Sequence, residues 1–392
     1  MRGVLRSHEL EQFPRGKAAI VGAATFGIGE APGYTALELA SRAALKALDS
    51  AGLKLKDVDG LFICLPEDIF SGLTAPEYLG IKPKLTDNNR TGGSAFLTHA
   101  IMAALALEAG YCDTVLIMYG SNQRSGAGRL VTPRVNTGYE YAYKPLQPIS
   151  PYALAAARHM HQYGTTREDL AHVAVAARQW ANLNPEAFAK GPLSIEDCLA
   201  SRLVSDPLSV RDCCLVTDGA AAIVMTRADR ARDLPNDPVY LLGGAAATWH
   251  NTIVNMPDLT VTAAEESGRR AFAHAGVSPA DIDVVQLYDA FTINTILFLE
   301  DLGFCPKGEG GRFVSSGAIA PGGSLPVNTN GGGLSCAHPG MYGLFTIVEA
   351  VQQLTCTAGA RQIADTELAL AHGNGGTLSS QATLILGTGA TL

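Results

Sequence analysis

No stretch of this 392-residue chain is both long and apolar enough to span a bilayer; the longest apolar runs, such as residues 100–109, are short and carry helix periodicity. Its eight cysteines (64, 112, 198, 213, 214, 305, 336 and 356) form no C-x-x-C pair. Scattered through apolar segments, they read as reduced small hydrophobes, and no metal site is expected from them. Basic residues form no cluster of the density that nucleic acid needs, and the net charge is −8. An anionic ligand therefore has to be held by helix ends or by a few Arg and Lys. The first residues, MRGVLRSHELEQFPRGK, contain no apolar core of a signal peptide, so the expected compartment is the cytoplasm. What remains, 47% hydrophobic and 17% charged, is a globular chain long enough for two or three domains.

The densest signal is NGGGLSCAHPGMYG at residues 330–343, just ahead of the apolar run LFTIVEAVQQL. Three glycines permit close approach of a ligand to backbone, and a His and a Tyr are delivered to a helix entrance, where unpaired N–H groups favour negative charge. The same stretch is equally an ordinary glycine loop with a histidine satisfying the core.

In chain order, an apolar strand is expected at residues 17–22. The Gly27-Ile28-Gly29 that follows has the wrong spacing for a dinucleotide fingerprint. Thr35 is placed to cap a long amphipathic helix closed by Gly52. Residues 60–65 read as a strand, 91–110 as a glycine-led buried helix and 114–119 as a second apolar strand. Between 121 and 151 the pattern dissolves into Gly, Pro, Asn, Arg and Tyr, as loops that shape a site or interface do. Helices are expected at 152–163 and 167–183, the latter capped by Thr166, and a strand at 220–226. Past the polar stretch 230–238 the pattern repeats. Ala51-Gly52-Leu53 and Asp57-Val58-Asp59 reappear as Ala275-Gly276-Val277 and Asp281-Ile282-Asp283 at a constant offset of 224, and the glycine-led helix at Gly92 is echoed at Gly332. The chain thus reads as two copies of one α/β unit, residues 1–235 with an excursion at about 121–212 and residues 236–392, with a site shared between the two glycine-led helices.

The duplicated α/β unit, the YGTTREDL run at 163–170 with Asn184-Pro185 downstream, and the Gly-Gly-Gly…His-Pro segment together resemble the thiolase superfamily, over nearly the whole chain and most of all its sterol-carrier or lipid-transfer branch. The resemblance implies the five-layer αβαβα thiolase fold, a homodimeric core and a coenzyme A thioester as substrate, with no covalently bound cofactor. It also exposes departures. Where a thiolase carries its nucleophilic Cys, this chain reads Asn89-Arg90-Thr91-Gly92. The C-x-G segment is replaced by His372-Gly373-Asn374-Gly375-Gly376, and the N-E-A-F segment by Tyr288-Asp289-Ala290-Phe291. Of the family's residues at these sites only His338 stays, followed by Tyr342.

Loss of the nucleophile argues against an acyl-enzyme but leaves room for acid–base cleavage of a carbon–carbon bond. The sequence is similar to the thiolase-like aldolases that remove the side chain of steroid CoA esters. That likeness implies Tyr288 and Tyr342 as an acid–base pair, Asp289 and His338 as orienting or stabilising groups, and His372 as a proton-transfer candidate. It offers Asn89, Gly92, Gly332, Gly333 and Gly375 for substrate binding. Such relatives work with a small partner bearing an OB-fold and a zinc ribbon. Each residue also has a plainer reading: a buried tyrosine in the core, an Asp289 that caps the helix at 291–299, arginines 124, 129 and 134 as solvated loop charges rather than CoA contacts. Two alternatives to the aldolase stand beside it: an acetyl-CoA acyltransferase or thiolase acylated at Cys336 or Ser94, and a non-catalytic acyl-CoA- or lipid-binding subunit.

Overall fold

The structure, a computed structural model, describes residues 13–127 and 138–392; arginines 129 and 134 lie outside them. Among the described residues eleven strands are formed: β1 (Ala18–Gly29), β2 (Gly60–Ile63), β3 (Leu85–Asp87), β4 (Thr114–Ser121), β5 (Leu203–Ser205), β6 (Leu208–Ser209), β7 (Asp218–Arg227), β8 (Val239–Thr248), β9 (Val284–Leu287), β10 (Leu368–Gly375) and β11 (Ser380–Gly387). β5 and β6 make a small separate ribbon, and the other nine form one mixed sheet in the order β3-β2-β4-β7-β1-β8-β11-β10-β9.

That order is one pattern written outward twice from the centre. β1-β7-β4-β2 runs one way and β8-β11-β10-β9 the other, and in each arm the first two pairings are antiparallel and the third parallel. The arms join only through Ala19 opposite Tyr240 and Ile20 opposite Val239. Beyond β2 lies β3; in the same place beyond β9 the second arm has a single parallel bridge, Val285 to Val327. The duplication extends to packing. A Cβ on Gly22 would lie 2.1 Å from the Ala47 carbonyl oxygen and 3.1 Å from Ala51 Cβ; one on Gly243 would lie 2.2 Å from the Ala271 oxygen and 3.0 Å from Ala275 Cβ. Those alanines are again 224 residues apart. In both halves only glycine lets the outer helix, Ala36–Ser50 or Ala264–Ala275, settle this closely on its sheet. We propose that the halves divide at 235/236, in the turn just before β8.

Two central helices, Ala95–Glu108 and Gly343–Leu354, each pack on strands of both arms and complete the layering of helix, sheet, helix, sheet, helix. Their buried faces are nearly continuous Ala, Leu, Phe, Ile and Val, as a helix sandwiched between sheets requires. They meet at their N-termini, where a Cβ on Gly343 would lie 2.0 Å from the Gly93 carbonyl oxygen. The glycine run at 331–333 does not enter the second helix directly. Gly332–Cys336 forms one wide π-type turn, Ala337 is extended, and the helix begins only at Gly343. The excursion at 121–212 is not formless either. It holds the helices Ile149–Tyr163, Arg167–Leu183 and Ile195–Leu199, and the second of these covers the π-turn, with Ala181 directly over Gly331. Capping boxes at Thr35 and Thr166 start their helices where the sequence places them, each contributing about 1 kcal/mol. No helix among the described residues is long and apolar enough to cross a membrane.

Candidate active site

The ends of β9 and β10, the loop 328–342 and the entrance of helix Ala95–Glu108 converge on one group of aromatic rings. As β9 ends, the Tyr288 N–H donates to the His372 carbonyl on β10 at 3.1 Å, and the chain then turns away from the sheet. The Tyr288 ring stands edge-on to both His338 (centroids 5.5 Å, 88°) and Tyr342 (6.0 Å, 80°). His338 and Tyr342 lie nearly parallel 6.2 Å apart, and Tyr342 stacks on Phe345 of the helix it precedes. Beneath Tyr288 is Gly93, where a methyl would sit 2.0 Å from ring carbon Cε2. Each half of the chain thus supplies one wall.

The loop is held by its own polar groups. Asp289, fully buried, accepts the N–H groups of Gly333 (2.6 Å) and Leu334 (3.3 Å). It therefore caps the π-turn, not the helix Thr292–Asp301 that follows it. Gly332 allows this closeness, since a Cβ there would lie 2.1 Å from Asp289 Oδ2. Asn330, which the sequence reading passed over, accepts both the Tyr342 hydroxyl (2.9 Å) and the Gly332 N–H (2.8 Å) on Oδ1. An Asn ahead of a glycine run is a signal for such a side-chain turn. The N–H groups of Gly332 and Gly333 are thus taken by Asn330 and Asp289. His338 is fixed by its backbone: its N–H donates to Thr217 Oγ1 at 3.0 Å and its carbonyl accepts Gln123 Nε2 at 2.8 Å. The ring Nε2 is buried and finds no hydrogen-bond partner among the described residues. An unpaired buried donor-acceptor on a ring packed between two tyrosines is where an incoming polar group would be received.

Burial dominates the electrostatics. It pushes the Tyr288 and Tyr342 hydroxyls well above the ordinary tyrosine range, with Cys214 and Tyr152 adding to the effect on Tyr288 and Asp289 and Cys336 on Tyr342. It lowers His338 to about 4, so the ring is neutral at pH 7. It raises Asp289 to about 7, against the two N–H groups that favour the carboxylate.

His372 stays out of this cluster. Its ring nitrogens pair with Thr383 Oγ1 (2.9 Å) and Gln381 Oε1 (3.0 Å), and only its backbone carbonyl reaches Tyr288. At the position of the missing thiol, Asn89 closes a small turn by accepting the Thr91 N–H at 3.1 Å, while its own N–H donates to His99 Nε2. Gly92 and Gly375 pack backbone to backbone, a Cβ on Gly92 lying 2.9 Å from Gly375 Cα. They join the two halves. Ser94 Oγ bonds to the Thr91 carbonyl and Ser380 Oγ, with no base beside it among the described residues, and Cys336 Sγ contacts Asn184 Nδ2 at 3.5 Å in a pocket of alanines. Burial holds the Cys336 thiol far above the range of a nucleophilic thiolate. Arg124 is engaged by Glu30 at 2.6 Å and lies over Phe188.

A duplicated sheet around two paired central helices, with a His-Pro loop at their meeting point, defines a thiolase-type fold. The chain belongs to the thiolase superfamily: the family described as thiolase C-terminal domain-like matches residues 245–388, and full-length relatives agree. The 17-hydroxy-3-oxo-4-pregnene-20-carboxyl-CoA lyase of Mycobacterium tuberculosis is 37% identical over 366 residues, 88% of this chain and 92% of its own length. An acetyl-CoA acetyltransferase of Methanothermobacter thermautotrophicus is 34% identical, covering 92% of this chain and 96% of its own. Among solved structures, an Ltp2-ChsH2(DUF35) aldolase superposes with a TM-score of 0.87 at 34% identity, over 96% of this chain and 99% of that one.

Proposed function

We propose that the chain is a carbon–carbon lyase that splits a bulky 3-hydroxyacyl-CoA of the steroid side-chain type into a ketone and a shorter acyl-CoA. One observation carries this reading: two buried tyrosine rings pack against a neutral histidine whose Nε2 is unpaired, in a thiolase-type site with no activated thiol or hydroxyl among the described residues. A retro-aldol step needs those groups and no covalent nucleophile. The β-hydroxyl proton passes to one tyrosine oxygen as that tyrosine's own proton moves on, by way of the other tyrosine, to Cα; the freed oxygen electron pair forms the ketone and the Cα–Cβ bond breaks to leave the thioester enolate that Cα protonation quenches. Both tyrosines end neutral, as burial requires, and the net change is one proton moved from oxygen to carbon. His338 Nε2, if it carries the ring proton, donates to the thioester oxygen as charge develops there. Asp289 and Asn330 hold the loop that aims these rings. Coenzyme A enters as part of the substrate. The lyase and aldolase relatives support the reaction, and the DUF35 component of the aldolase structure supports a heteromeric assembly of this chain; the resemblance to the superfamily makes the partner a small OB-fold and zinc-ribbon protein and the core a homodimer.

The test is a product assay on the chain, alone and co-expressed with its genomic neighbours, with a tertiary 3-hydroxyacyl-CoA. Release of a ketone and a shorter acyl-CoA is expected, and Tyr288→Phe lowers kcat by about 10²- to 10⁴-fold. CoA-dependent cleavage of a 3-ketoacyl-CoA in place of that reaction would sink the proposal. Thioester binding with no turnover in any combination would leave the subunit reading.

A further inference from the structure

His372 does not lend its ring to the tyrosines, yet it heads a buried chain of hydrogen bonds that ends beside them. Gln381 Oε1 can only accept, so His372 Nε2, 3.0 Å away, carries the ring proton and Nδ1 accepts from the Thr383 hydroxyl at 2.9 Å. Gln381 Nε2 donates to Asn374 Oδ1 at 2.8 Å, and Asn374 Nδ2 donates to Tyr152 Oη at 2.9 Å. Tyr152 then gives its own proton to the Gly376 carbonyl at 3.0 Å. All four side chains belong to residues at most 2% exposed. Turning either amide alone would break two of these bonds, so the chain holds or fails as a unit.

Both ends touch the Tyr288 wall. The His372 carbonyl accepts the Tyr288 N–H, and the methyl that Gly93 lacks would lie 2.0 Å from the Tyr288 ring and 2.8 Å from the Asn374 carbonyl oxygen. Next along, Gly375 presses on the helix entrance so closely that a Cβ would lie 1.7 Å from the Thr91 carbonyl oxygen. The Tyr152 ring rests on Phe291, three residues past Tyr288, with centroids 4.5 Å apart.

We propose that Tyr152 is a positioning residue of the active site: with Asn374, Gln381 and His372 it locks residues 373–376 against the Tyr288 ring and so fixes how that ring meets the substrate. The segment is the one that replaces a thiolase's second cysteine, and here it works through hydrogen-bonded amides in place of a titrating thiol. The inference rests on the lyase reading for its assay.

Tyr152→Phe keeps the stacking on Phe291 and removes only the hydroxyl. It is expected to lower kcat about tenfold while KM stays within about twofold, as slight misplacement of a reacting group does. Gln381→Met breaks the chain in its middle and gives the same loss, and the double variant is no worse than either single one. Wild-type kcat in Tyr152→Phe, or losses that multiply in the double variant, would overturn the proposal. Should wild-type protein release no ketone, the lyase reading falls while the chain stays testable by ¹⁵N NMR of the His372 ring. A single Nε2-protonated tautomer that becomes mixed in Gln381→Met supports the lock; tautomer populations that do not change on that substitution overturn it.

Discussion

Gly93→Ala isolates the position of Tyr288 without touching its chemistry. The backbone there is not left-handed, so alanine is conformationally free to enter, but its methyl would arrive 2.0 Å from Tyr288 Cε2. To reach the 3.4 Å of ordinary contact the ring must retreat by about 1.4 Å. It cannot slide freely, because His338 and Tyr342 flank it and its N–H is tied to His372. A displacement of about 1 Å in a reacting group costs on the order of 10²-fold in rate, and overpacking of this kind costs about 1–3 kcal/mol of stability. The expected result is a folded protein whose kcat for ketone release is down about 10²-fold, with a lowered melting temperature. In a Tyr288→Ala background the ring is gone and the methyl meets the Asn374 carbonyl at 2.8 Å, so Gly93→Ala lowers the melting temperature less there than in wild type. A folded Gly93→Ala protein with wild-type kcat would refute the placement of Tyr288 at the reacting bond.

Two further outcomes follow from the same structure. Cys336→Ala and Ser94→Ala are expected to leave kcat within about threefold, and mass spectrometry of wild-type protein incubated with an acyl-CoA should show no acyl adduct, since neither side chain is activated; a stable adduct at either would revive the acyltransferase reading. His338, at about 4 in the folded state against 6.5 when free, gives stability that is complete above pH 6.5 and is lost as pH falls toward 4, on the order of 3 kcal/mol. Asp289, raised to about 7, acts in the opposite sense, its cost being relieved as pH drops through that value. Urea denaturation against pH should therefore show a shallower acid limb in His338→Gln than in wild type, and parallel limbs would contradict the burial of that ring.

Much of the fold was legible because it rests on local rules. Thr35 and Thr166 cap helices as their side chains dictate, helix Arg167–Leu183 has the bounds its periodicity predicts, and the offset of 224 reappears as matched alanines over matched glycines. β8 and β11 escaped notice. VYLLGGAAAT is too rich in small residues to look like a strand, and it is one because it lies in a sheet centre where the outer helix presses on Gly243 and Ile101 of a central helix on Gly244. Of the site residues, Tyr288, Tyr342, His338 and Asp289 do meet, whereas His372 turns its ring toward β11. Alternation along a strand shows that successive side chains face opposite ways, but not which way faces the substrate.

The sequence by itself determined the class of fold, its duplication and the chemistry at hand: no thiol where a thiolase needs one, and a His between two tyrosines 54 residues apart. Only the tertiary structure decided which of those groups cooperate. The rings of Tyr288 and Tyr342 are brought to 6.0 Å between centroids where the end of β9 meets the entrance of helix Gly343–Leu354, with Gly93 of the other half beneath Tyr288, and Asn330 and Tyr152 gain their roles from partners 12 and 222 residues away. Hydrogen bonds and close contacts act over a few ångströms of space, whatever the separation along the chain. Their partners are therefore fixed when the core closes, and not before.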